Sequence, residues 1–191
     1  YGLPHQRNGG LQLIESIYAG KHKIISFLDD DVLPTEGYFS NLRRLFTSHE
    51  ELDCLGGFDT NIAPTHNSKL RRMAGLAAKN SERAWVLDSG ICLHASPKSD
   101  LIYCDWVPGG MQSYRASAIQ GKRFDGRIRM YGEDVEFQMR CFSLPNQIAT
   151  SCTLGVDHSS DQSGKSSHAR SALYSDGFRW RLSKDHPERV K

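Results

Sequence analysis

Three consecutive carboxylates, Asp29-Asp30-Asp31, follow the apolar run Ile24-Ile25-Ser26-Phe27-Leu28 and precede Val32-Leu33-Pro34. At a separation of ~4 Å two unit charges repel by about 1 kcal/mol in water and about 4 kcal/mol at a protein-like dielectric. A chain that gathers such a group at the end of a buried strand implies a cation to neutralise it. Hard divalent ions, Mg²⁺ or Mn²⁺, prefer oxygen ligands of this kind. The chemistry indicated is a metal-assisted reaction of a phosphorylated substrate. A solvated acidic turn capping the next helix is the plain alternative, for which a single aspartate suffices.

Other residues with chemical potential lie further along. Glu133-Asp134 opens a helical pattern and, taken alone, complements the positive end of a helix dipole. Gly109-Gly110 removes side chains where a ligand could approach the backbone. Trp106 could offer a flat apolar face to a ligand ring. A tight strand-to-helix turn and a core tryptophan account for the same residues. Lys165, His168 and Arg170 fall in a basic segment suited to closing over an anionic ligand, or form an ordinary basic surface. His158 stands just past a strand candidate.

The chain that must position them has 191 residues, long enough for one domain with a proper core. Lysine and arginine total 24 against 22 aspartate and glutamate, a balance that argues against a general nucleic-acid binder. No apolar stretch approaches membrane-spanning length. The five cysteines are odd in number and scattered, without the close pairs of a zinc site. They read as reduced thiols of a cytosolic protein, with Cys141 and Cys152 as small core residues.

Apolar periodicity outlines the elements. Asn8 is a candidate N-cap for a helix carrying Leu11, Ile14, Ile17 and Tyr18, stopped by Gly20. Residues 23–28 read as a short buried strand of parallel type, with the aspartates at its C-terminal end, where ligands bind in open α/β sheets. Thr35 is a candidate cap for a second helix with Tyr38, Phe39, Leu42, Leu45 and Phe46 on its apolar stripe, ending near His49. Leu55-Gly56-Gly57-Phe58 and residues 84–87 are strand candidates, and residues 69–73 a short helix. Trp106-Val107-Pro108-Gly109-Gly110-Met111 reads as a strand entering a glycine turn, and Phe124-Asp125-Gly126 as a turn. Residues 133–142 form a helix with Val135, Met139 and Phe142 on one face. Residues 148–156 alternate as a strand. Residues 159–171, rich in Ser, Gly, Lys and His, read as a mobile loop.

Several of these segments, in order, carry a family resemblance. Arg7-Asn8-Gly9-Gly10 precedes a helix, and Phe27-Leu28-Asp29-Asp30-Asp31 is trailed by Pro34. Arg123-Phe124-Asp125-Gly126 follows, then Tyr131-Gly132-Glu133-Asp134-Val135-Glu136 with a helical Arg140. Together they resemble the GT-A fold glycosyltransferases, specifically the large family 2 of inverting enzymes, from about Arg7 to His158. The resemblance implies an α/β fold, a Rossmann-like three-layer α/β/α sandwich around a mixed sheet. Residues 1–158 would be the catalytic domain and residues 159–191 a mobile basic loop and tail.

The same resemblance implies sugar transfer from a nucleotide-diphosphate donor to a hydroxyl of a saccharide or glycolipid acceptor. Mg²⁺ or Mn²⁺ would stabilise the departing diphosphate. Asp31 maps to the metal carboxylate, with Asp29 beside it and His158 as a further metal or diphosphate ligand. Asp29, Asp30, Arg7, Lys165 and Arg170 map to the donor side. Asp134 maps to the general base, and Glu133, Trp106, Gly109 and Gly110 to the acceptor side. Surface polysaccharide, lipopolysaccharide or glycoconjugate synthesis is the common setting, in the cytoplasm and peripheral to the inner face of the membrane.

One departure from the pattern stands out. The two strands that build the nucleotide-base pocket in the family, with a Pro-Thr turn and an acidic element, have no counterpart in these residues. The expectation is an N-terminally truncated domain that binds donor poorly on its own. Two rival readings stay open. A nucleotidyltransferase shares the strand-end acidic metal site but calls for a Gly-rich, lysine-bearing phosphate loop, which is not apparent. A carbohydrate-binding or scaffolding domain keeps the fold without catalysis.

Overall fold

The computed structural model describes residues 2–18, 23–61, 73, 82–87, 91–128 and 132–158. Helix α1 (Leu3–Tyr18) leads to β1 (Ile24–Leu28) and β2 (Val32–Pro34), then to α2 (Tyr38–Ser48) and β3 (Cys54–Asp59). Short strands β4 (Trp85–Val86), β5 (Cys92–Leu93) and β6 (Ile102–Tyr103) precede β7 (Met111–Arg115) and the single-turn helix α3 (Ala116–Ile119). Helix α4 (Glu133–Cys141) and the long strand β8 (Ile148–His158) complete the described chain.

The main sheet is mixed, in the order β1-β7-β3-β8-β2, with β6 also paired to β8. Only β3 and β8 run parallel; the other pairings are antiparallel. Strand alternation sends successive residues to opposite faces, and the two faces carry separate cores. Ile25, Cys54, Tyr114 and Ile148 meet Leu11 of α1 and Val135 and Met139 of α4. Leu55, Met111, Ala149, Leu154 and Val156 meet Tyr38, Leu42, Leu45 and Phe46 of α2. Helices therefore cover both faces. β4 and β5 form a separate two-stranded ribbon.

Most elements follow the apolar pattern, with several corrections. β1 is not a parallel strand buried on both sides: it pairs antiparallel with β7, and Ser26 is exposed, its hydroxyl 2.8 Å from that of Ser113. Asn8 does not cap α1. The helix starts at Leu3, and the Asn8 amide clamps Phe124, accepting its N–H at 2.8 Å and donating to its carbonyl at 2.9 Å. Thr35 does not cap α2 either, because its hydroxyl donates to the Gly155 carbonyl at 2.8 Å and Gly37 at φ 78° takes the cap position. Phe39 lies 53% exposed, off the apolar stripe. Gly109-Gly110 leads into β7 instead of ending a strand. Cys152 is exposed and Cys141 half-buried; Cys54 and Cys104 are the core thiols, and all five are free.

Gly20, the loop 159–171 and the tail to residue 191 lie outside the described residues, as does the helix expected at 69–73 apart from Met73. Among the described residues no helix is long and apolar enough to cross a membrane.

Candidate functional site

The aspartate triplet forms the reverse turn between β1 and β2. The Val32 N–H donates to the Asp29 carbonyl at 3.2 Å, and the Asp29 N–H to the Gly110 carbonyl at 3.0 Å. The second contact extends the β1–β7 ladder by one rung and fixes Asp29 against the glycine pair. Helix α2 begins only at Tyr38, so the triplet is not its cap.

Gly109-Gly110 is the meeting point of two motifs far apart in sequence. The Gly109 N–H donates to Asp134 Oδ2 at 2.7 Å. A Cβ on Gly110 would stand 2.4 Å from Asp29 Oδ2, and one on Gly109 2.7 Å from an Arg7 guanidinium nitrogen. Any side chain here collides with Asp29 or Arg7, so the glycines make room for charged groups of the chain itself. The loop is held from behind by Gln138 of α4, which is fully buried. Its amide accepts the Val107 N–H and donates to the Val107 carbonyl, both at 2.8 Å. A side chain thus supplies the pairing that a neighbouring strand would give Val107.

Asp134 sits in the first turn of α4, after Gly132 at φ 92°. Its Oδ1 accepts the Val135 N–H at 2.8 Å while Oδ2 takes Gly109. Each carboxylate oxygen has two lone pairs, so both keep acceptor capacity. Glu133 turns inward. It is 4% exposed, and its Oε1 accepts from Arg7 at 2.7 Å. Arg7 is likewise 5% exposed, lies over the Phe124 ring at 5.4 Å, and stands 4.0 Å from Asp29 Oδ1. Two expectations are corrected here. Arg7 is buried between Glu133 and Asp29 and is not free for donor phosphates, and Glu133 is buried beneath the site instead of facing an acceptor.

Burial of Glu133, reinforced by neighbouring Asp134 and opposed by Arg7, pushes its carboxyl from 4.5 up to about 7. Because the folded chain holds this proton more tightly than the unfolded one, its contribution to stability is full below pH 4.5 and is lost as pH rises through about 7. The slope approaches about 1.4 kcal/mol per pH unit within that window. Thermal melts from pH 4.5 to 7 are expected to show this decline in the native chain and a shallower one in Glu133→Gln. Equal slopes would contradict the assignment. Asp29 is also pushed up, first by burial and further by Asp31, with Arg7 opposing.

On the other side of Asp29 the sheet brings two carboxylates and an imidazole together. His158 ends β8, the strand between β3 and β2. Its Cα partner on β2 is Val32, next to Asp31, while on β3 Asp59 is paired with Val156. Consequently His158 Nε2 lies 3.0 Å from Asp31 Oδ2, and Nδ1 lies 3.7 Å from Asp59 Oδ2. A pocket of about 120 Å³ opens beside them, with Asp29, Asp59, His94, Pro108, Gly110 and His158 among its walls.

Among the described residues no group of three or more His, Cys, Asp or Glu side chains is gathered to hold a metal ion alone. Asp31 Oδ2 and His158 Nε2 lie 3.0 Å apart, the distance of a hydrogen bond. Mg²⁺ is commonly bound by one or two carboxylates plus substrate phosphates and water.

The remaining expected site residues divide. Asp30 is exposed on the turn. Trp106 is 4% exposed, donates its indole N–H to the Trp85 carbonyl at 3.1 Å and meets His94 edge-on, so it is a core residue and no platform for a sugar. Lys165, His168 and Arg170 lie outside the described residues. Asp59 and His94 were not anticipated. Asp59 carries the same signal as Asp29, a carboxylate at the end of an apolar strand, whereas nothing in the pattern around His94 marks it.

A scan against protein-family models finds no match, and no curated protein matches the sequence. Among solved structures, the crystal structure of A197 from STIV is similar, with a TM-score of 0.53 and 18% identity. The match covers 83% of this chain and 68% of that one. The likeness is one of fold.

Proposed function

We propose that this chain is the catalytic domain of an inverting, metal-dependent glycosyltransferase with a GT-A-type three-layer fold, similar to the family 2 enzymes. One observation carries the reading. The Asp29–Asp31 turn and Asp134, more than a hundred positions apart, dock on consecutive glycines, Asp134 through Gly109 and Asp29 through Gly110. This brings the Asp134 carboxylate beside the strand-end aspartate turn.

In this reading Asp31, Asp29 and His158 would hold Mg²⁺ or Mn²⁺, with Asp29 and Asp30 also on the donor side. The ion, when bound, supplies Lewis-acid stabilisation of the diphosphate leaving group. Asp134 accepts the proton of an acceptor hydroxyl as that oxygen bonds to the anomeric carbon. The bond from that carbon to the diphosphate oxygen breaks, its electron pair leaving with the diphosphate, so configuration inverts. Arg7 and Glu133 form the buried floor that keeps Asp29 and the start of α4 in register. Surface polysaccharide or glycoconjugate synthesis is the setting this chemistry fits, with a saccharide or glycolipid as acceptor.

The test is hydrolysis of a panel of nucleotide sugars by the intact protein, with and without Mn²⁺. At least one donor is expected to be turned over only with the metal. Hydrolysis of no donor, or turnover indifferent to chelation, would overturn the proposal.

A further inference from the structure

Asp59 and His94 take no part in the reaction above, yet both line the pocket that opens beside Asp29. Phe58, Pro108 and Met111 give this pocket apolar surface, and Gly110, next to the glycine that holds Asp134, completes the wall nearest the proposed base. Apolar walls with a few placed polar groups are the make-up of a small-molecule site.

The electrostatics of the pocket are one-sided. Asp29 and Asp59 bring carboxyl groups to it, and no lysine or arginine stands among its described walls. Arg7, 4.0 Å from Asp29, is 5% exposed and committed to Glu133 at 2.7 Å, so it lends the pocket no free donor. His158 has a carboxylate on either side, Asp31 at 3.0 Å and Asp59 at 3.7 Å, so any charge on its ring is already matched. Burial holds the His94 imidazole below its ordinary 6.5, with Asp134 and Asp59 opposing, so the ring is uncharged at neutral pH. A divalent ion at the aspartate turn would be matched by the donor's own diphosphate. Among the described walls no cation is left for a carboxylate on a bound ring.

We propose that this pocket receives the transferred sugar, admits an uncharged hydroxyl-bearing ring, rejects a hexuronate, and reads the ring through His94 and Asp59. The inference rests on the glycosyltransferase reading. A neutral imidazole offers one N–H donor and one acceptor nitrogen, which suits sugar hydroxyls that both donate and accept. His94 is exposed where it lines the pocket. Its ring is braced by Trp106, met edge-on with ring centres 5.2 Å apart, and Trp106 is fixed in turn by its N–H to the Trp85 carbonyl at 3.1 Å. Asp59 has a side chain 8% exposed, and its Oδ1 accepts the Asn61 N–H at 2.8 Å, leaving Oδ2 for His158 and the pocket. A hexuronate carries a carboxylate where the hexose has a neutral CH₂OH group. Between Asp29 and Asp59 that group meets like charge, a repulsive element that discriminates between otherwise similar rings.

The test uses the intact protein with Mn²⁺ and a panel of UDP-, GDP- and dTDP-linked neutral hexoses and deoxyhexoses, together with UDP-glucuronate, UDP-galacturonate and GDP-mannuronate. The best donor is expected to be uncharged, with kcat/KM for hydrolysis at least about tenfold above that of any hexuronate. Asp59→Asn keeps the Asn61 contact through its amide oxygen and is expected to raise the hexuronate-to-hexose ratio several-fold. His94→Ala is expected to lower kcat/KM for the best donor about fivefold, the loss of one hydrogen bond. Inhibition by the free nucleoside diphosphate, which lacks the sugar, should be unchanged in that variant. His94→Gln, which retains a donor and an acceptor, should recover part of the rate. A hexuronate turned over as fast as the best hexose, an unmoved ratio in Asp59→Asn, or native kinetics in His94→Ala would overturn the inference and leave the glycosyltransferase reading standing. Equal weakening of nucleoside-diphosphate inhibition in His94→Ala would overturn the contact of His94 with the sugar. Hydrolysis of no donor would overturn the glycosyltransferase reading and this inference with it.

Discussion

Replacing Asp134 by asparagine is expected to lower glycosyl transfer by about 10²–10⁴-fold, the range a positioned general base contributes, while leaving KM for donor nearly unchanged. The amide has the shape of the carboxylate but cannot take the acceptor proton. A modest structural effect accompanies the loss. Both oxygens of Asp134 accept backbone N–H groups, from Gly109 at 2.7 Å and Val135 at 2.8 Å. The amide nitrogen must therefore confront one donor with another, at about 1–3 kcal/mol. For a chain of this size that corresponds to a fall of a few degrees in melting temperature. Steady-state rates and a thermal melt on the same sample separate the two effects. Undiminished transfer in the variant would show that Asp134 is not the base. A carbohydrate-binding domain without catalysis predicts no turnover in the native chain to lose.

Asp31→Ala separates function from stability in the opposite sense. The lost carboxylate belongs to the proposed ligand set with Asp29 and His158. An ion acting as Lewis acid contributes several kcal/mol to the barrier, so metal-dependent turnover is expected to fall about 10²–10³-fold. Stability of the metal-free chain should change little, the lost hydrogen bond to His158 being offset by relief of the repulsion on Asp29. Asp31 is a like charge that helps push the Asp29 carboxyl above its ordinary range, and its removal relieves that repulsion. A structural role for the triplet predicts the reverse, a lower melting temperature with turnover intact. Turnover therefore moves under one account and melting under the other.

Much of this site is legible in the sequence because its signals are local. An apolar run ending in three aspartates places the turn, and the stripe Tyr38, Leu42, Leu45, Phe46 places α2. The alternation of residues 148–156 places β8 and so His158 at its end. What is not legible depends on pairings across the chain. Apolarity says that β1 is packed, but not that its partner β7 runs antiparallel. Arg7 and Glu133 are 126 positions apart, and neither residue type announces that it will be buried. An exposed arginine and an exposed glutamate look the same in sequence. Trp106 before two glycines has the same appearance as a sugar platform or a core residue, and only the packing against His94 and the Trp85 carbonyl decides. Asn8 misleads for a related reason. It has the composition of a cap, yet its amide is engaged by Phe124, 116 positions away.

The central claim is that Asp31 and His158 clamp a divalent ion onto a diphosphate, and calorimetric linkage between the two ligands tests it most directly. Pyrophosphate is titrated into the native chain and into Asp31→Ala, with and without Mn²⁺. Ligands that share one site raise each other's affinity by the same factor. The account predicts that Mn²⁺ strengthens pyrophosphate binding at least about tenfold in the native chain, some 1.4 kcal/mol of coupling, and has no such effect in Asp31→Ala. Equal pyrophosphate affinity with and without Mn²⁺ in the native chain, or the same coupling in both proteins, would contradict it.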